Sequence, residues 1–176
     1  MIIAGKKNLE RKRFKNLRKE STLLDRKKVE INVKLYVESL FEKGKIINHI
    51  GIYWPIKNEI DIRSLNEKYS LALPRCEKNK EMVFCRWDGT VSKLTEDCEG
   101  IPSPDYSLKL NHQKISIIFT PCLAVDRKLT RLGYGGGYFD RLRKDQKWRA
   151  IPCIGVLTSN CVSDHSLIRA EWDIPL

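Results

Sequence analysis

Residues 131–141 of this 176-residue chain read Arg-Leu-Gly-Tyr-Gly-Gly-Gly-Tyr-Phe-Asp-Arg. Glycines at 133, 135, 136 and 137 let successive backbone N–H groups turn toward one point with no Cβ in the way, and a helix starting behind them adds its positive end. Such a loop can cradle a phosphate, and the same composition can serve a plain tight turn. The spacing is neither GxxxxGK[ST] nor GxGxxG, so a Walker-type or dinucleotide loop is unsupported. Asp140 also has two readings: an oxygen ligand for a hard cation, or an acid that complements its own helix dipole.

A second chemical feature lies at the other end of the chain. Net charge is +11, and residues 1–28 hold eleven Lys/Arg against three Asp/Glu, so the remaining 148 residues are close to neutral. On a helix, Lys7, Arg11, Lys15 and Arg18 form one stripe. The stripe is either a solvated basic face or a surface for an anion: nucleic acid, acidic membrane or a phosphate-bearing small molecule. No RNP, KH or helix-turn-helix signature accompanies it.

Composition excludes several classes. With 41% hydrophobic and 31% charged residues the chain is globular, and its length suggests one domain over 1–176. The longest apolar stretch, 115–125, is interrupted by Ser116, Thr120 and Pro121 and is too short to span a bilayer. Without an apolar h-region behind Met1, a cytoplasmic protein is expected. Six cysteines without a CxxC pair read as free thiols, and His49, His112 and His165 lack zinc spacing.

The elements that must position these residues follow from periodicity. Residues 7–41 carry Phe14, Leu17, Leu24, Val33, Val37 and Leu40 at helical steps, giving one or two amphipathic helices. Residues 46–54 read as a buried strand ended by Pro55, and Asn58 as the cap of a helix from Glu59 to about Tyr69. Short strands are expected at 71–73, closed by Pro74, and at 82–87, then a loop at 95–107. The β-branched run 115–120 is the best central strand. A helix over 138–144 and a strand over 151–157 complete an α/β fold: an open, mainly parallel sheet with helices on both faces.

Residues 121–126 (Pro-Cys-Leu-Ala-Val-Asp) followed by 131–141 resemble the signature of the 5-formyltetrahydrofolate cyclo-ligases, also called methenyltetrahydrofolate synthetases. Other segments agree in order: Lys7-xxx-Arg11 followed by Arg18, residues 53–61 (Tyr-Trp-Pro-Ile-Lys-Asn-Glu-Ile-Asp), Leu73-Pro-Arg75 and Gly100-Ile-Pro102. The resemblance implies an ATP-dependent ligase that converts 5-formyltetrahydrofolate to 5,10-methenyltetrahydrofolate, ADP and phosphate. It implies a formyl oxygen that attacks the γ-phosphate, then N10 closing on the activated carbon.

By matched position, the resemblance places Lys7 and Arg11 on ATP phosphates and wraps Arg131, Leu132, Gly133, Tyr134, Gly135, Gly136, Gly137, Tyr138 and Phe139 around the nucleotide. Arg131, Tyr138 and Asp140 are the implied catalytic residues, and Asp140 and Asp173 the implied ligands of Mg²⁺. Glu59 matches the folate-binding acid, with Trp54, Met82, Phe84 and Tyr138 as candidate walls. By pattern alone Glu59 reads rather as a helix-start acid, and Met82 and Phe84 as ordinary core. ATP and 5-formyltetrahydrofolate are the expected partners of a monomer that needs neither nucleic acid nor membrane. A relative that binds without turnover, or a nucleic-acid module, are the competing readings.

The sequence departs from the family pattern at Cys122, Val125 and Leu129, where Gly, Phe and Gly are usual; altered packing and an altered loop before Arg131 are expected. Ser103 replaces a glutamate. Trp172 precedes Asp173 where histidine is common, and the family normally continues beyond the position of Leu176.

Overall fold

Two helices carry the basic N-terminal segment: α1, Ile2–Glu20, and α2, Leu23–Glu42. The break is built by Thr22, whose hydroxyl accepts from Asp25 N while the Asp25 carboxylate accepts from Thr22 N (3.1 and 2.9 Å), a capping box that starts α2. The computed structural model describes residues 2–56 and 58–176, without the side chain of Ile2. Met1, and Lys57 within the 53–61 segment, lie outside the described residues.

The strands are β1 (His49–Gly51), β2 (Leu71–Cys76), β3 (Met82–Trp87), β4 (Thr95–Glu96), β5 (Pro102–Ser103), β6 (Lys109–Leu110), β7 (Ile115–Pro121), β8 (Ala124–Asp126) and β9 (Arg131–Leu132). Helices α3 (Tyr138–Lys144) and α4 (Gln146–Arg149) follow, then β10 (Cys153–Val156) and β11 (Val162–Ser163). The main sheet runs β10-β7-β1-β2-β3-β6. Its β10–β7, β7–β1 and β1–β2 pairings are parallel, and β2–β3 and β3–β6 are antiparallel. The α/β class and the mainly parallel centre are as expected; the β3–β6 edge adds antiparallel pairing.

Side chains alternate across this sheet with period two. Ile50, Ile52, Leu71, Leu73, Ile117 and Phe119 pack on one face with Val33 and Val37 of α2. Ala72, Met82, Phe84, Ile118 and Cys153 pack on the other with Phe139, Leu142 and Trp148 of α3 and α4. Helices therefore cover both faces. Helix α1 lies elsewhere: Phe14 packs with Leu123, Ala124, Leu132 and Leu167 around the small β11-β8-β9 sheet. Leu24, counted in the helical pattern, is 77% exposed.

Three local expectations are corrected. The strand foreseen over 46–54 is only three residues long, because Ile47 N and Asn48 N donate to the Ser116 hydroxyl (3.1 and 2.9 Å) instead of a ladder. No α-helix follows Asn58. That residue turns the chain at φ 65, and a five-residue 3₁₀ helix, Arg63–Glu67, stands where the longer helix was expected. Pro74 does not end β2: β1 pairs only with Leu71 and Ala72, so no β1 partner needs the N–H that Pro74 lacks. The 95–107 loop contains the β4–β5 ribbon. All six cysteines are free, and Cys98 alone is exposed. Among the described residues no helix is long and apolar enough to cross a membrane.

Candidate active site

The chain leaves β1 toward β2 on one side, while β7 and β10 extend the sheet on the other. Where strand order diverges, the connections at the carboxyl ends separate and leave a crevice. There lies a cavity of about 1030 Å³. The segment after β1 supplies Tyr53, Trp54 and Glu59, β7 supplies Pro121, and Lys7 and Arg11 enter from α1. The β9–α3 connection contributes Arg131, Gly133 to Gly137, Tyr138, Phe139 and Asp140, and the C-terminal segment Trp172 and Asp173.

The basic stripe is thus turned inward in part. Lys7 is 7% exposed and forms an ion pair with Asp173. Arg11 Nε donates to Gly133 O (3.0 Å), which ties α1 to the glycine loop. Lys15 is exposed and stands outside the cavity, a correction to the four-residue stripe. Its Cα lies about 80° round the helix from Lys7, on the flank that faces solvent.

Gly135 and Gly137 adopt φ 111 and 69, the left-handed region that favours glycine, and Gly137 precedes α3 directly. Arg141 latches the loop, donating from Nη2 to Gly136 O (2.8 Å) and from Nε to Lys80 O (2.7 Å). Leu132 is the expected nucleotide residue that does not line the cavity. Its side chain is 1% exposed within the α1 core, so only its backbone belongs to the loop.

Arg131 Nη2 donates to Asp140 Oδ2 (3.0 Å), and Asp140 Oδ1 accepts from Ile174 N (3.2 Å). Asp140 and Asp173 therefore face the cavity, each compensated by a cation expected to meet phosphate. Among the described residues no three His, Cys, Asp or Glu side chains converge into a metal cage. Two carboxylates beside a glycine-rich loop are a donor set that fits Mg²⁺, which keeps several waters and needs few protein oxygens.

The opposite wall is apolar and acidic. The Glu59 side chain is 5% exposed, and its Oε2 accepts from Ile56 N (2.9 Å). Burial pushes its pKa up to about 7, although the Ile56 N–H and Arg18 favour the charged form. Trp54 is sandwiched between Arg63, 4.1 Å above its ring, and Trp87, edge-on at 6.3 Å. Met82 lines the cavity, whereas Phe84 is fully buried under the sheet and stacks on Trp148, which corrects its candidacy as a wall. Tyr138 donates to Glu99 Oε1 (2.5 Å), and that bond, then burial, raises its phenol pKa.

Sequence reasoning missed Tyr53, Glu99 and Trp172 among the cavity walls. Glu99 reaches the site because the β4–β5 ribbon folds its loop back, which no local pattern announces. Tyr53 carried a signal: an aromatic followed by Trp-Pro at the carboxyl end of a buried strand.

Comparison with known proteins agrees with this geometry. Residues 3–176 match the family model described as the 5-formyltetrahydrofolate cyclo-ligase family. A 5-formyltetrahydrofolate cyclo-ligase of Haemophilus influenzae is 26% identical over 175 residues, covering 94% of this chain and 92% of that protein. One from Escherichia coli K12 is 36% identical over 76 residues, 43% of this chain and 41% of the relative. The solution structure of Aquifex aeolicus 5,10-methenyltetrahydrofolate synthetase superposes with a TM-score of 0.74 at 27% identity, covering 97% of this chain and 86% of that one. The fold is also that of 5,10-methenyltetrahydrofolate synthetase from Mycoplasma pneumoniae (TM-score 0.71, 22% identity, 97% and 94% covered). With its full-length match, its glycine loop and its paired acids and cations around one crevice, the chain belongs to the 5-formyltetrahydrofolate cyclo-ligase family.

Proposed function

We propose that this protein closes 5-formyltetrahydrofolate to 5,10-methenyltetrahydrofolate at the expense of ATP, releasing ADP and phosphate. The observation that carries the reading is that one cavity joins three inward cations and a glycine loop to a buried acid with aromatic neighbours. Lys7, Arg11 and Arg131 suit the phosphates, with Arg131 offering a planar fork to the oxygens that gain charge in the transition state. Gly133 to Gly137 leave backbone N–H groups unshielded beside them.

At the other end, Glu59 accepts from the amino and ring N–H groups of the pterin, and Trp54, Met82 and Tyr138 flank the rings. Holding both substrates brings the formyl oxygen in line with the γ-phosphorus. An oxygen–phosphorus bond forms as the bond to the bridging oxygen breaks and ADP leaves. The N10 lone pair then attacks the activated formyl carbon, N10 loses its proton, and the carbon–oxygen bond breaks to release phosphate. Asp140 and Asp173 are the residues that would hold Mg²⁺, which when bound neutralises charge on the β- and γ-phosphates.

The reading carries with it a cytoplasmic monomer that needs no nucleic acid. The test is the near-ultraviolet absorbance of methenyltetrahydrofolate on mixing the protein with 5-formyltetrahydrofolate. A rise that requires Mg-ATP is expected. No rise in folded protein that binds ATP would overturn the reading in favour of binding without turnover.

A further inference from the structure

Arg18 stands behind the cavity wall, against Glu59 and Tyr134, which both line the cavity, and we propose that it is a positioning residue. Its guanidinium faces Glu59 on one side and Tyr134 on the other, holding the folate-binding acid charged and tying it to the nucleotide loop. The inference rests on the folate and ATP reading above.

The geometry is specific. Arg18 Nη1 lies 3.7 Å from Glu59 Oε1, with the two side chains 12% and 5% exposed. Its Cζ stands 5.1 Å from the centroid of the Tyr134 ring, inside the glycine loop. Glu59 Oε1 receives no hydrogen bond from the described residues. A ligand N–H donor would complete it, while Oε2 is held by Ile56 N.

A carboxyl group serves as acceptor at both oxygens best when ionised, because a proton makes one of them a donor, and burial works against ionisation here. Charged and titratable groups around Glu59 come from three elements: Arg18 from α1, the Tyr53 phenol after β1, and the Cys122 thiol after β7. Burial raises Tyr53 well above its ordinary value and pushes Cys122 up to about 12, so both are neutral. Arg26 and the Cys161 thiol sit near Arg18, and Cys161 is also held neutral by burial. Among the described residues, Arg18 is therefore the cation that favours ionised Glu59. Its plane against Tyr134 is a contact that a lysine ammonium would not reproduce in shape.

The experiment measures KM for 5-formyltetrahydrofolate and for ATP from pH 6 to 9 in the wild type, Arg18→Met, Arg18→Lys and Glu59→Gln. Arg18→Met should move the midpoint of the pH dependence of folate KM up by about one unit, raising folate KM about fivefold at pH 7 and nearly tenfold at pH 6, where the ionised fraction falls about tenfold per unit. Arg18→Lys should restore the midpoint but leave ATP KM raised a few-fold. Glu59→Gln should remove the pH dependence of folate KM. A folate KM raised uniformly across pH, with an unmoved midpoint in both Arg18 variants, would overturn the proposal. Should Arg18→Met not fold, the midpoint and ATP KM of Arg18→Lys decide alone. Absence of ATP-dependent product in the wild type would instead defeat the cyclo-ligase reading itself.

Discussion

Lys7 and Asp173 are 166 positions apart in the chain, yet the ammonium of one is bonded to the carboxylate of the other at the wall of the cavity. Arg131 and Asp140 repeat the relationship. Each expected metal-binding acid is thus paired with an expected phosphate-binding cation. Such pairing keeps four charges compensated at the cavity wall, and in the proposed reaction phosphate and a cation would be their alternative partners.

The first prediction follows from that pairing. Lys7→Met should raise the KM for ATP about tenfold or more and lower stability by about 1–3 kcal/mol, because it leaves the largely buried Asp173 carboxylate without its ion-pair partner. Saturation kinetics and thermal unfolding check it; an unchanged ATP KM would remove Lys7 from the phosphate site.

Asp140→Asn should lower kcat by about 100-fold or more while folate KM changes only a few-fold, since that carboxylate faces the phosphate end of the cavity. Equal losses in kcat and in folate affinity, measured by steady-state kinetics, would count against the assignment.

Glu59 gives a stability signature. Its folded pKa of about 7 lies above the ordinary 4.5. Below the ordinary value both states are protonated and nothing is lost. As pH rises through that value the unfolded chain ionises first, so stability falls until about pH 7 and the loss is complete above it. Glu59→Gln should therefore be more stable than wild type at pH 8 by on the order of 1–3 kcal/mol, seen as a higher Tm, with little difference at pH 4. Parallel Tm profiles would refute the shift.

Met82 and Phe84 should separate. Both lie on β3, but Met82 faces the cavity and Phe84 is fully buried against Trp148. Phe84→Ala should cost about 3–5 kcal/mol in urea unfolding. Met82→Ala should raise folate KM several-fold at a smaller cost in stability.

Leu129 sits at φ 60 in the turn between β8 and β9, a left-handed position unfavourable for leucine. Leu129→Gly should stabilise the protein by up to about 1 kcal/mol, the relieved strain being partly offset by the greater freedom of glycine in the unfolded chain. A lower Tm would contradict the argument.

Much of this molecule was decided locally and was legible in the sequence. The 115–120 run needs a strand covered on both faces because it has no polar edge to offer water. The glycines of 133–137 exclude side chains from one small volume, whatever surrounds them. Helix α3 starts where those glycines end. The family resemblance adds Lys7, Arg11, Glu59 and Asp140 as expected site residues by matched position.

What the tertiary structure decided is which of these residues meet. Periodicity placed Lys15 beside Lys7, but packing of Phe14 on the β8–β9 layer rotates α1 so that Lys7, Arg11 and Arg18 turn inward and Lys15 does not. Alternation puts Met82 and Phe84 on the same face of β3, and only what packs over each point of that face sets Met82 at the cavity and Phe84 under Trp148. Glu99 reaches Tyr138, Asp173 reaches Lys7 and Arg18 reaches Glu59 across long stretches of chain. Such contacts depend on how layers pack, and a local pattern carries no record of distance between segments that only folding brings together.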